Sequence, residues 1–513
     1  MTRAITRARG ALATLAALAA AAALLDLGGL HRLEDGDSIV PVLVALQRWT
    51  PFYWDQERYG MLVPLLAVPV RDPLWNLLLQ RALLGLAGLA AVVLLARHAL
   101  GARWRLAGAL AAAALLAAAP APWLFEYLWS QPYGLSLALA LAGLAAAEAR
   151  ADPDRLAPAL PGPGRIAAGL ALCVAAHWVN AAVGLVLLPL AAARAAVDLA
   201  QGASRPALRL RLGTEVALLA AGLGAGQLMI RLYPALTGNP LRLPLGPLPP
   251  HEWPRAWASL LGRAWEASGR WPAVLGACAA AGLLVQLAWP AARPHARAAL
   301  LRAAALCLAA LAYALAAGVL RWVEVNAFHW RYLAPAAVLV HLAAVSLLAD
   351  PVARALREGS LARGVALALV PAAALAVAGP PSLARVRADL DASAGRYTRD
   401  VLAARCTLVT GDYWSVWPAV WHAAWTAHAR GLELPVYGLA HRANPTLAAW
   451  AGTPREALRI CRVRGKEAEA ERALRDFRLW PVRVLERRGT VDVLAPAPPS
   501  SPAGARGRTS RPP

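Results

Sequence analysis

The sequence predicts an all-α polytopic membrane domain over residues 1–380, a small α/β domain over 381–495, and a polar tail over 496–513. Three observations predict it. The 513 residues are 59% hydrophobic and only 16% charged, with a mean hydropathy of +0.47, more apolar surface than a soluble core needs. Apolar runs near the ~20 residues that cross a bilayer recur through the first three-quarters of the chain. Beyond residue 380 they give way to short β-type runs around one charged helical segment.

The spans are read in order. MTRAITRARG followed by ALATLAALAAAAALL has the basic start and small residues of a signal peptide, but the many apolar runs behind it favour an uncleaved first span. Spans are expected near 11–30, 74–96, 106–122, 134–149, 213–230, 271–289, 300–319, 333–349 and 364–379. The run 166–193 is too long for one span and is interrupted by His177, Trp178 and Asn180, so it reads as two short helices turning there. His177 and Asn180 are expected to bond between helices. The total is about eleven crossings.

Orientation follows from basic residues in short loops. Arginines gather before the first span and after the second, fourth, sixth, eighth and tenth, whereas the short loop 123–133 has no arginine or lysine. The N-terminus is therefore expected in the cytoplasm. This placement also accounts for the net charge of +22: the arginines are topology determinants and form no nucleic-acid patch. Near-absence of lysine, with Lys466 alone, fits a high-GC bacterial coding bias.

Two outer segments are long, 31–73 and 231–270, and both carry aromatic residues suited to the interface. Within the first, IVPVLVALQRW suits a short amphipathic helix lying along the surface. In the C-terminal region TLVTGDYWSVWPAVW, LELPVYGLA, ALRICRVRG and WPVRVLERRGTVDVL contain short strands, and KEAEAERALRDFR is a helix between two of them. The tail APAPPSSPAGARGRTSRPP has a disordered composition. Five cysteines show no C-x-x-C spacing. Cys173, Cys278 and Cys307 read as small hydrophobes, and Cys406 and Cys461 can pair if their region is extracytoplasmic.

Three groups of residues can carry chemistry. Directly after the first span, EDGDS places Glu34, Asp35, Asp37 and Ser38 around a glycine. A carboxylate there suits a general base that deprotonates an acceptor hydroxyl; the plainer reading is a solvated loop with Asp37 or Ser38 capping the next helix. NAFHWRYLAP offers Arg331 and Tyr332 at the outer mouth of the late spans, either as ligands for a phosphate or as an interfacial anchor. FYWDQERYG offers Arg58 and Tyr59 to a headgroup or sugar, against a local ion pair of Arg58 with Asp55 or Glu57. Glu126 is a lone outer carboxylate, a second acid or metal ligand if it does not simply face water. No Walker, Rossmann or His-Glu metal motif occurs, so no nucleotide cofactor is expected.

EDGDS after the first span, the paired helices around HWVNA and the RYLAP motif at Arg331 to Pro335 together resemble the integral-membrane glycosyltransferases of the GT-C fold. Relatives in that group include protein mannosyltransferases and bacterial aminoarabinose transferases. The resemblance covers roughly 10–380 and implies a polyprenyl-phosphate-linked sugar as donor and an inverting transfer on the extracytoplasmic face of the bacterial inner membrane. It implies an envelope glycan, lipid or protein as acceptor. It implies Asp37 or Asp35 as base, with Glu34 beside them, and Arg331 as ligand of the donor phosphate. Metal dependence varies across the fold. The alternative class is a transporter or flippase for a lipid-linked or amphipathic substrate, which would draw on ionisable groups within spans such as Glu215 or on Gln227.

Overall fold

A computed structural model describes residues 2–54, 59–100, 104–148, 162–237, 246–289, 293–355, 360–432, 434–441, 443–450, 453–454 and 457–496. Its helices are α1 (Thr2–Asp26), α2 (Gly36–Leu46), α3 (Leu62–Ala67), α4 (Pro73–Leu100), α5 (Trp104–Ala118), α6 (Ala121–Phe125), α7 (Tyr133–Ala146), α8 (Pro163–Val179), α9 (Val183–Ala200), α10 (Arg205–Thr237), α11 (Trp253–Ser268) and α12 (Trp271–Ala288). They continue as α13 (Arg293–Gly318), α14 (Arg321–Val325), α15 (Ala334–Ala355), α16 (Ser360–Ala378), α17 (Leu383–Ala394) and α18 (Thr398–Ala403). Then come β1 (Leu408–Thr410), α19 (Tyr413–Ala429), β2 (Tyr437–Leu439), α20 (Asn444–Ala449), β3 (Ile460–Val463), α21 (Glu467–Asp476), β4 (Val482–Arg488) and β5 (Val491–Pro496).

Among the described residues, seven helices are long and apolar enough to cross a membrane, or eight if the bent pair Gly364–Ala378 and Leu383–Ala403 is one span. Three further expected spans fall on shorter apolar helices: Leu106–Ala118, Tyr133–Ala146 and Pro163–Val179. The run 166–193 breaks at Asn180, where Asn180 Oδ1 accepts from the Ala182 N–H at 3.0 Å and closes the turn. His177 Nδ1 donates to the Cys173 carbonyl of its own helix at 2.8 Å. The expected interhelical bonds are thus corrected: both side chains satisfy backbone groups close by in sequence.

The chain divides into two compact units. The first comprises Met1–Leu33, Trp49–Pro69 and Leu77–Asp389. Its helices pack in a chain of neighbours, α1 on α16, α16 on α5, α5 on α15, α15 on α13, α13 on α9, α9 on α10, α10 on α8 and α8 on α7. Small residues allow this. A Cβ on Gly143 would lie 2.7 Å from the Gly169 carbonyl, and one on Gly282 2.7 Å from Leu347, so α7 with α8 and α12 with α15 meet backbone to backbone. At one end of α4, α9 and α10, Arg194 reaches His98 Nδ1 at 3.0 Å and Glu215 at 3.3 Å, and Arg211 pairs with Asp198.

The second unit comprises Glu34–Arg48, Val70–Asn76 and Leu390–Pro513. Its mixed sheet has the order β2-β1-β3-β5-β4, with β1 parallel to β2 and β3, and β5 antiparallel to β3 and β4. All the strands and the charged helix expected in this region form. The segment YWSVWPAVW becomes α19, buried through Val416, Trp417, Val420 and Trp421. Cys406 and Cys461 are joined, with Cα atoms 5.8 Å apart, beside β1 and in β3. Helix α2 packs on α19, and segment 70–76 is tied to α19 by Trp421 Nε1 donating to the Pro73 carbonyl at 3.4 Å. The reading of α2 as a surface-lying amphipathic helix is corrected: Ile39, Val40, Val42, Leu43 and Val44 are all buried, because a helix apolar on every face belongs inside a protein.

Candidate functional site

The acidic motif lies in the second unit, and the structure separates its members by role. Asp35 is the N-cap of α2: its Oδ1 accepts from the Ser38 N–H at 2.9 Å while Ser38 Oγ accepts from the Asp35 N–H at 2.8 Å. This reciprocal capping box satisfies two backbone donors that the helix start would otherwise leave open. The cap is therefore Asp35, with Ser38 at N3, and not Asp37 or Ser38. Glu34 is buried, whereas Asp37 in the first turn is partly exposed.

The Asp37 Oδ1 accepts a hydrogen bond from Tyr413 Oη at 2.8 Å. Tyr413 is the first residue of α19, and Asp412 before it is the N-cap, accepting from Ser415 N at 3.0 Å and pairing with Lys466 at 3.0 Å. Burial pushes the Asp412 carboxyl up, but hydrogen bonds from Lys466 and Ser415 outweigh it and hold the group below the usual carboxylate range. Gly36 is required where it stands, since a Cβ there would lie 2.8 Å from the Tyr413 ring. At the other end of α2 a cavity of about 280 Å³ opens among Leu43, Gln47, Arg71, His428, Leu434 and Tyr437.

Arg331 and Tyr332 lie in the first unit, in a 3-10 turn (Trp330–Leu333) that leads into α15. Both are buried. The turn is shaped by Ala327 and Phe328, which adopt left-handed backbone angles of φ 54° and 52°, a conformation disfavoured for such residues and held by its surroundings. His329 Nδ1 accepts from the Arg331 N–H at 3.2 Å, Arg331 Nη2 donates to Asn326 Oδ1 at 3.4 Å, and Tyr313 Oη donates to the Tyr332 carbonyl at 3.0 Å. Tyr133 lies within electrostatic reach of Tyr59, Tyr313, Tyr332 and Arg331. The Arg331 guanidinium itself lies 5.4 Å from the centroid of the Tyr332 ring.

Tyr59 reaches this group because its loop is fastened to the break between α8 and α9. Gly60 N–H donates to the Trp178 carbonyl at 2.9 Å, Trp178 Nε1 donates to the Pro51 carbonyl at 3.0 Å, and Tyr53 N–H donates to the Tyr59 carbonyl at 3.1 Å. A Cβ on Gly60 would lie 2.7 Å from the Trp178 ring. Arg58 lies outside the described residues. Glu126 does not face water: it is buried, in a π-helical turn Glu126–Ser130. That turn follows α6, whose Trp123 packs on Trp330 with ring centroids 4.6 Å apart.

No protein-family model matches the chain, and neither does any curated protein. Among the described residues no group of three or more His, Cys, Asp or Glu side chains is placed to hold a metal ion. Sequence reasoning missed Tyr133, Tyr313 and Tyr413. Tyr313 carried a signal, a single hydroxyl in an otherwise apolar span. Tyr413 follows a Gly-Asp turn, but nothing in the sequence relates it to an aspartate 376 positions earlier.

Proposed function

We propose that this chain is a membrane glycosyltransferase that moves a sugar, with inversion, from a polyprenyl-phosphate donor to an envelope acceptor on the extracytoplasmic face. The observation that carries the reading is the gathering of Arg331, Tyr332 and Tyr59 with Tyr133 and Tyr313 in one unit. A guanidinium among phenols suits a phosphoryl group, through charge-assisted bonds, beside a sugar that meets hydroxyls and ring faces. In the reaction Asp37 takes the proton of the acceptor hydroxyl as that oxygen attacks the anomeric carbon. The bond from that carbon to the phosphate oxygen breaks on the opposite side. Polyprenyl phosphate departs with the bonding pair. Asp35 is the lesser candidate for the base because its carboxylate already caps α2.

In this reading the chain crosses the bacterial inner membrane about eleven times, with its N-terminus in the cytoplasm and the sheet-bearing unit outside. The Cys406–Cys461 bond supports that side, since disulfides persist in oxidising compartments. Mass spectrometry of envelope glycans from cells with and without the protein tests the assignment, and should reveal one glycosidic product that depends on it. Asp37→Asn abolishes that product while the protein remains in the membrane. Unchanged product in both Asp37→Asn and Asp35→Asn would sink the assignment of the base.

The transporter alternative draws on the charged group formed by His98, Arg194, Asp198, Arg211 and Glu215 in α4, α9 and α10. These charges sit near helix ends and pair with one another, which suits an interhelical clamp. Reconstituted protein that carries a lipid-linked sugar across vesicles without covalent change would favour transport.

A further inference from the structure

Tyr413 does for Asp37 what a lone loop carboxylate cannot do for itself. A carboxylate on a flexible turn samples many rotamers and is protonated according to its solvent exposure. Here the Tyr413 hydroxyl donates to Oδ1 at 2.8 Å, which fixes the orientation of the group. The phenol is itself held from behind. Asp412, its N-cap neighbour, is bonded by Ser415 and by Lys466, the single lysine of the chain. Gly411 packs against Val463 and Lys466, with an added Cβ only 3.2 and 3.5 Å away. On the opposite side the ring covers Gly36, and the His441 ring is 6.3 Å away.

We propose that Tyr413 is the positioning residue of the candidate base: its hydroxyl aims the Asp37 carboxylate and holds it ionised, so that the C-terminal part of the chain sets the reactivity of a group at its beginning. This rests on the glycosyltransferase reading for its catalytic meaning, but the physical pairing stands independently of it. A hydrogen bond to the charged form favours that form, so loss of the hydroxyl raises the pH at which Asp37 takes up a proton. Among the described residues, the charged and titratable groups on the neighbouring elements include Glu34 and Asp35 before α2, Arg48 after it, Asp412, Tyr413, His422 and His428 at α19, His441 after β2, and Lys466 before α21. All but Tyr413 are retained in the variants below.

The test uses the full-length chain in lipid nanodiscs and dicyclohexylcarbodiimide, which modifies protonated carboxyls, with labelling of Asp37 followed by peptide mass spectrometry from pH 4 to 8. Tyr413→Phe should raise the pH of half-labelling by about one unit. Tyr413→3-fluorotyrosine, a stronger donor of unchanged shape, should lower it, and labelling of Glu148, which pairs with Arg97 in the first unit, should move in neither. A purely structural tyrosine would not give shifts of opposite sign. Unchanged Asp37 profiles in both variants overturn the proposal. In the glycan assay Tyr413→Phe should lower kcat about tenfold with little change in KM. Shifted labelling with no glycosidic product from the unaltered protein would retain the pairing and discard the transferase reading.

Discussion

His422 sits in a hydrogen-bond chain that its neutral form satisfies. Nε2–H donates to Asp391 Oδ1 at 2.8 Å, and Nδ1 accepts from the Thr398 hydroxyl at 2.8 Å. Burial lowers its pKa below the usual 6.5, and the Asp391 carboxylate offsets only part of that shift. The unfolded chain therefore binds a proton at higher pH than the folded one. The contribution to stability is full above about pH 6.5 and is lost as pH falls from there through the folded value, by at most about 1.4 kcal/mol per pH unit. Thermal unfolding of the purified protein should show a lower midpoint at pH 5.5 than at pH 7.5, and His422→Gln should flatten that dependence. A second loss is expected in acid as pH falls from about 3.8, the unfolded value, through the lower folded values of Asp412 and Asp492. For Asp492, burial raises the pKa but is outweighed by bonds from Arg462 and Arg464. None of these pairings was legible in the sequence, because Asp391, Thr398 and His422 show no periodic relation and meet only through packing.

At the level of elements the sequence is more transparent. Apolar runs near 20 residues mark helices because lipid offers no partner for an open backbone group; each expected span falls on a helix, and among the described residues seven or eight of these are long and apolar enough to cross. Strands β1 to β5 were legible because Gly, Pro and charged turns punctuate them. The length of α2 was legible but its surroundings were not: an interfacial position was expected for a segment with no polar face, which instead packs on α19. The disulfide was legible only as a possibility. It joins positions 55 residues apart and ties β3 to the entrance of β1. Replacing both Cys406 and Cys461 by Ser should destabilise the sheet-bearing unit by roughly 2–4 kcal/mol. Limited proteolysis should then cut within 390–496 first, and an unchanged cleavage pattern would argue against a stabilising role.

At the level of the whole molecule, the arginine pattern predicts which side each loop occupies. Reporter fusions decide it. Alkaline phosphatase joined after residue 496 should be active, and the same enzyme joined within 149–161 inactive; the reverse would invert the topology and remove the candidate site from the outer face. The candidate site was legible in part. Local motifs single out Arg331, Tyr332 and Tyr59, and all three lie within electrostatic reach of Tyr133. Their gathering depends on the contact of Gly60 with Trp178, which no local pattern reveals.

The second unit is assembled from three pieces of chain, and this has a consequence for biosynthesis. Some 310 residues separate Asn76 from Leu390. At roughly 5–20 residues per second, α2 and segment 70–76 wait on the order of 15–60 s before the helix and sheet they pack against have been synthesised. During that interval Ile39, Val40 and Leu43 have no completed interior to enter. Either the insertion machinery, the lipid surface or a chaperone must shelter them until the last quarter of the protein emerges.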